Sequence, residues 1–183
     1  MSYKWWVLIA IFLFGVGILL GLVVPTSIAE LPAEDISDLV ELADFLSTLP
    51  KWAVFLIILF KNVSALLISF ILSPLLCLVP IIALVVNGWL IGLVSTTVLQ
   101  EESLGYLLAG LLPHGIFEIP AFVIAEAVAL SFGTALILAL FKKERRNLLV
   151  PHFRHNLKYL AIALALLLPA AIIEAYITPM FLS

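Results

Sequence analysis

Leu111-Leu112-Pro113-His114-Gly115-Ile116-Phe117-Glu118-Ile119-Pro120-Ala121 lies in the middle of an otherwise apolar segment. In that segment, residues 104–141, the only side chains of the charged or histidine types are His114, Glu118 and Glu126. An ionisable side chain at bilayer depth costs roughly 2.5–3.5 kcal/mol on insertion, so such residues usually mark a functional site. Irregular backbone at that depth requires surrounding protein or a water-filled cavity. The stretch therefore predicts a membrane protein with a polar interior.

The composition excludes a soluble domain. Apolar residues make up 64% of the 183 residues and charged residues 11%, against about 45–50% and 25% in soluble domains. A soluble chain of this length has too little core to bury so many apolar side chains, so lipid must cover much of the surface. No phosphate-binding loop or dinucleotide fingerprint occurs. We expect the lipid bilayer as a partner, and no nucleic acid.

Five apolar segments are long enough to cross a hydrocarbon core of about 30 Å. We predict one integral membrane domain over residues 1–183, an all-α polytopic transmembrane helix bundle of five crossings. Its spans are expected at 5–24, 52–73, 75–99, 104–141 and 159–179. Residues 32–49 carry a run of acidic side chains with apolar residues at helical spacing, which indicates an amphipathic segment outside the bilayer.

Charge segregation orients these spans. Seven of the nine basic residues lie at the N-terminus or in the 142–158 loop, and eight of the twelve acidic residues lie in 30–44 and 101–102. The positive-inside rule places the basic segments in the cytoplasm. With five crossings, the cell-membrane protein has a cytoplasmic N-terminus and its C-terminus outside.

The fourth segment is longer than one crossing requires. Its 38 residues would extend about 57 Å as one helix, against a core of about 30 Å. A turn at Pro113-His114-Gly115 uses the surplus, so we predict that the segment is broken or re-entrant there and bent again at Pro120. A long, tilted helix with a kink is the alternative.

Polar residues also lie within the other spans. They are Lys61, Asn62, Asn87 and Glu174. Each is too costly to leave facing lipid, and a bundle of this size has one interior to share. We therefore expect an intramembrane polar cluster. Its main members are Asn62, Asn87, His114, Glu118 and Glu174. Lys61 and Glu126 are secondary members.

Spacing alone leaves three interpretations of this cluster open. Lys61 forms a structural ion pair with one of the carboxylates, the groups form a proton or ion path, or a divalent metal ion binds. His114 and Glu118, four residues apart on one helix face, are the candidate metal ligands. No His-Glu-x-x-His motif and no complete catalytic set occurs, so we assign no catalytic residue.

The first span contains Gly17-x-x-x-Gly21, the spacing of a close helix contact. Packing within the chain explains this motif. Such a face also favours self-association, for which a homodimer with two-fold symmetry is the expected form.

Four pieces of the chain resemble the stage II sporulation protein M family. They are Phe60-Lys61-Asn62, Asn87-Gly88, the run from Leu111 to Ala121, and Ile173-Glu174-Ala175-Tyr176-Ile177-Thr178-Pro179. They occur in family order, and the resemblance covers about residues 50–180. It implies a compact multi-span integral membrane protein whose shared residues are the intramembrane polar ones.

The founding members of this family act in spore engulfment beside a peptidoglycan hydrolase and another membrane protein. The resemblance thus implies membrane-protein partners, although this chain offers only a short outer segment to contact a cell wall. We expect a non-enzymatic scaffold or a transporter-like component. The alternative is an intramembrane metal-dependent protein or enzyme that uses His114 and Glu118, with a divalent metal ion as its cofactor.

Overall fold

The computed structural model describes residues 2–23, 45 and 48–181, and these form an all-α bundle without strands. The five helices are α1 (Tyr3–Val23), α2 (Lys51–Leu72), α3 (Leu78–Glu101), α4 (Leu104–Phe141) and α5 (Leu149–Ile172). A 3-10 helix, Lys143–Leu148, connects α4 to α5, and a π turn, Ile173–Ile177, follows α5. The described chain has five helical segments long and apolar enough to cross a membrane. This confirms the predicted fold class; most of the amphipathic segment expected at 32–49 lies outside the described residues.

Helix α4 is the centre of the bundle because it packs against each of the other four helices. On one side, Ala125 and Ala129 belong to an apolar core shared with α2 and α5. On the other, Ala127 and Leu130 belong to a second core shared with α1 and α3. Small side chains let helix backbones approach closely in a membrane. One helix thus positions both halves of the bundle.

The structure corrects the prediction of a broken or re-entrant fourth segment. Residues Leu104–Phe141 form one continuous α-helix that contains Pro113 and Pro120, so no turn forms at Pro113-Gly115. Each proline removes a single N–H donor from the helix. A turn inside the bilayer would leave more backbone groups unpaired, and each such group costs several kcal/mol. The continuous helix is therefore the cheaper arrangement.

Helices α1 and α3 run parallel, and their backbones meet at glycines. A Cβ atom added at Gly17 would overlap the carbonyl oxygen of Val85, and one added at Gly21 would overlap that of Trp89. The facing glycines on α3 are Gly88 and Gly92. Two Gly-x-x-x-Gly motifs thus pack against each other within the chain. Helix α3 covers the Gly17-x-x-x-Gly21 face, so this face supplies no surface for a dimer. The homodimer stays a prediction, but this motif no longer supports it.

The last helix begins ten residues before the membrane span predicted at 159–179. Helix α5 starts at Leu149, and Pro151 is compatible with its first turn because the missing N–H has no partner there in any helix. Much of the predicted 142–158 loop is therefore helical. His152 and Arg154 lie on α5 rather than in an irregular loop.

Candidate functional site

The central helix α4 presents His114 and Glu118 on one face, one helical turn apart. The segment after α5 brings Glu174 to the same place. One ligand atom from each of these three side chains lies within 4.8 Å of the other two, and all three residues are half-buried. We refer to His114, Glu118 and Glu174 as the polar cluster.

Two further side chains contact the polar cluster. Asn62 Nδ2 of α2 donates a hydrogen bond to Glu118 Oε1 at 3.1 Å. Thr178 Oγ1 lies 3.5 Å from His114 Nδ1. Asn62 lies near the middle of α2, a helix just long enough to cross the hydrocarbon core. The polar cluster therefore lies near mid-depth in the bundle.

The backbone that carries Glu174 departs from regular α-helix. Pro169 lies within α5 and is followed by the π turn Ile173–Ile177. The Thr178 hydroxyl donates back to the carbonyl oxygen of Ile173 at 3.3 Å. A π turn widens the helix locally and re-aims its side chains, and such turns occur frequently at functional sites. Thr178 was not among the predicted site residues, although it lies four positions after Glu174 in the family-like piece.

The polar cluster combines two carboxyl groups with one imidazole. Glu174 lies close enough to Glu118, His114 and Lys61 to interact with each electrostatically. Lys61 itself is exposed on α2, so its positive charge lies at the margin of the cluster rather than inside it. Two carboxylates placed side by side in a low dielectric repel each other strongly unless a positive charge or a proton intervenes.

Asn87 does not hydrogen-bond with the cluster, contrary to expectation. It is exposed, and its Nδ2 donates to the carbonyl oxygen of Ala83 in its own helix at 2.8 Å. Asn87, His114 and Glu118 nevertheless line one cavity of about 270 Å³ between α1, α3 and α4. The sequence identified Asn87 as a polar residue at the right depth, but not the face of α3 on which it lies.

Glu126 lies apart from the polar cluster, eight residues along α4 from Glu118, or about 12 Å of helix rise. It is only 1% exposed, and it accepts a hydrogen bond from Ser69 Oγ of α2. Sequence reasoning missed this serine, whose only signal is a hydroxyl near the end of the second span. It also missed Asn156 of α5, which is fully buried with no hydrogen-bond partner among the described residues.

The family profile described as Stage II sporulation protein M matches residues 10–179 of this chain. An uncharacterized protein of Methanocaldococcus jannaschii is 28% identical over 174 residues, which cover 94% of this chain and 93% of that protein. No solved structure matches. The family match runs from α1 through the segment that carries Glu174 and Thr178, and so includes every residue of the polar cluster. On this evidence the chain is an integral membrane protein that belongs to the stage II sporulation protein M family.

Proposed function

We propose that this protein is a non-enzymatic, transporter-like membrane component whose polar cluster binds a small cation, either a proton or a divalent metal ion. The observation that carries the proposal is the meeting of His114, Glu118 and Glu174 within 4.8 Å. Ionisable residues at bilayer depth that face a bundle interior commonly mark ion pathways and proton relays. A bound cation removes the repulsion between the two carboxylates, so the cluster is most stable when occupied.

The donor set suits a divalent ion of intermediate hardness. One imidazole nitrogen and two carboxylate oxygens are the ligand types that bind Zn²⁺ or Mn²⁺. Three protein ligands leave a fourth coordination position open to water, as in known three-ligand zinc sites. Asn62, by donating to Glu118, would orient one ligand in the way that outer hydrogen bonds do in known metal sites.

The neighbouring cavity supplies a route to the cluster. His114 and Glu118 line the cavity of about 270 Å³ and also belong to the polar cluster. Most of its other lining residues are apolar, among them Phe14, Leu90 and Phe122. An ion held at the cluster is therefore adjacent to a space between α1, α3 and α4 through which it can exchange.

We further propose that the N-terminus and the 142–158 region lie in the cytoplasm and the C-terminus outside. The support is the concentration of basic side chains at one end of the bundle, where Lys142, Lys143 and Arg145 are exposed. Short basic segments next to membrane spans are retained on the cytoplasmic side.

A structural scaffold is the second candidate, and Lys61 is the observation that favours it. Its charge acts on Glu174, so part of the negative charge is already balanced within the chain. In a scaffold the cluster fixes helix packing, and removing one buried charge partner costs about 3–5 kcal/mol. An intramembrane enzyme would use the same His114 and Glu118 as metal ligands.

Metal binding by the purified protein in mild detergent tests the proposal. We expect elemental analysis to find a divalent ion, and calorimetric titration with Zn²⁺ or Mn²⁺ to give one site per chain. Removing a ligand in Glu118→Gln or His114→Ala should weaken binding at least about tenfold, since even loss of an outer hydrogen bond costs 10–100-fold. Glu126→Gln is the matched control, because it neutralises another intramembrane carboxylate, held by Ser69, outside the cluster.

Proton transport is tested with the same variants reconstituted in proteoliposomes. If protons are the cation, an imposed pH gradient should dissipate faster with the wild type than with Glu118→Gln. Equal metal binding by wild type and His114→Ala, together with equal proton flux, would refute the cation site. A large loss of stability in Glu118→Gln with neither activity would then support the scaffold.

A further inference from the structure

A second cavity, of about 220 Å³, lies where α4 ends and α5 begins. It is separate from the polar cluster and shares no residue with the first cavity. Its walls come from three helices and from the 3-10 helix that connects α4 to α5. We call it the connector cavity. The residues with polar or aromatic side chains that line it are Trp6, Ser131, Thr134, Arg145 and His152.

The polar part of the connector cavity consists of groups that can donate hydrogen bonds to an anion. Ser131 Oγ lies 3.0 Å from His152 Nε2, and Ser131 is only 3% exposed, so this pair forms a fixed wall. Arg146 is held at the end of α4, where its Nε donates to the carbonyl oxygen of Ala139 at 3.2 Å. Arg145, the next residue back, lines the cavity instead. Among the described lining residues there is no carboxylate.

The remaining part of the connector cavity is apolar. Leu138, Leu148 and Leu149 line it together with Trp6. Tryptophan near a helix end is typical of the membrane–water interface. The neighbouring segment is basic on balance: Lys142, Lys143 and Arg154 are exposed nearby in the chain, against one exposed carboxylate, Glu144. The cavity thus has a cationic, hydrogen-bonding wall and an apolar wall at the end of the bundle where basic residues gather.

We propose that the connector cavity binds the phosphate group of an anionic membrane lipid. Arg145 and His152 hold the phosphate oxygens, since guanidinium and imidazole groups make charge-assisted hydrogen bonds to phosphate. Trp6 and the leucines contact the glycerol and the upper part of the acyl chains. About 220 Å³ accommodates a headgroup but not a whole phospholipid, so the chains extend into the bilayer. Basic pockets between membrane helices are known to bind lipid headgroups in this way.

A soluble phosphate ester also offers phosphate oxygens but has no acyl chains, and the apolar wall of the connector cavity is what favours the lipid. The test uses full-length protein stripped of lipid in detergent. Phosphatidylglycerol, phosphatidylcholine and glycerol 3-phosphate are titrated separately, and binding is measured by native mass spectrometry. High ionic strength screens the exposed charges of the surrounding surface. Under these conditions we expect phosphatidylglycerol to bind more tightly than the other two ligands. The choline cation of phosphatidylcholine would lie beside Arg145 in a cavity without a carboxylate, and glycerol 3-phosphate lacks the acyl chains that contact the apolar wall.

Arg145→Gln should weaken phosphatidylglycerol binding by about tenfold or more, because hydrogen bonds to charged groups are worth about that factor. Arg154→Gln is the matched control: it removes the same charge from an exposed position on α5 outside the cavity, and binding should change by less than about twofold. Both arginines are exposed, so neither change is expected to prevent folding. Equal effects of the two variants would overturn the site, and equal binding of phosphatidylcholine and phosphatidylglycerol would overturn an anionic lipid as its ligand. Glycerol 3-phosphate binding as tightly as the lipid would overturn the lipid as its ligand.

Discussion

Replacing Gly21 by alanine should push α1 away from α3, whereas the same replacement at Gly15 should not. A Cβ atom at Gly21 would lie less than 3.0 Å from backbone atoms of Trp89, Gly92 and Leu93, while ordinary van der Waals contact begins near 3.4 Å. Backbone atoms cannot rotate aside as a side chain can, so the two helices must separate. At Gly15 an added Cβ meets nothing within 4 Å.

The size of the effect follows from two opposing terms. Overpacking a well-packed contact costs typically about 1–3 kcal/mol. Alanine is favoured over glycine within a helix by roughly 0.5–1 kcal/mol, and this gain applies at both positions. The gain in helix propensity cancels when Gly21→Ala is compared with Gly15→Ala. Gly21→Ala should therefore be less stable by the overpacking cost alone, about 1–3 kcal/mol. For a chain of this size each kcal/mol shifts the melting temperature by about 2–4 °C, which gives a difference of about 2–12 °C.

Thermal unfolding of the purified protein in mild detergent, followed by tryptophan fluorescence, measures this difference. Gly15→Ala should melt at or slightly above the wild-type temperature, and Gly21→Ala below it. Equal melting temperatures for the two variants would refute the argument that paired glycines bring α1 and α3 together. Because Phe14 of α1 and Asn87 of α3 both line the first cavity, Gly21→Ala should also weaken cation binding if the cavity serves the polar cluster.

Asn62→Ala should weaken metal binding by about 10–100-fold, because Glu118 loses the hydrogen bond that orients it; Asn87→Ala, whose amide bonds within its own helix, should weaken it less in the same titration. Ser69→Ala should lower stability by about 1–3 kcal/mol, because buried Glu126 loses its donor. Ser95→Ala, whose hydroxyl bonds within its own helix, should be nearly neutral in the same melt. In the variant Arg145→Cys, with the free cysteine removed by Cys77→Ala, the new thiol should react with a membrane-impermeant reagent only from the cytoplasmic side. Labelling from outside would reverse the proposed orientation. Mass determination in mild detergent should find a homodimer of the 20.0 kDa chain, and a monomer alone would count against it.

Much of the architecture is determined by local sequence. Hydrophobic segments longer than the bilayer core predict the spans one at a time, and the described chain has five helical segments long and apolar enough to cross a membrane. The energetic cost of ionisable side chains in lipid also pointed to His114, Glu118 and Glu174, which the structure brings within 4.8 Å. Both inferences rest on transfer energies that act on each residue or segment separately, so one sequence is sufficient to make them.

Only the tertiary structure decided features that depend on neighbouring helices. Pro113 and Pro120 predict a break when α4 is considered alone, yet the helix is continuous. It packs against each of the other four helices, and a turn inside the bilayer would leave more backbone groups unpaired. The Gly17-x-x-x-Gly21 motif fits a contact with any partner, and α3 proved to be that partner. Asn87 and Glu126 have the polarity of the cluster residues, but one faces the first cavity and the other bonds Ser69. The physical reason is that hydropathy specifies the depth of a residue, whereas its partners depend on the rotation and register of helices, which packing between distant parts of the chain determines.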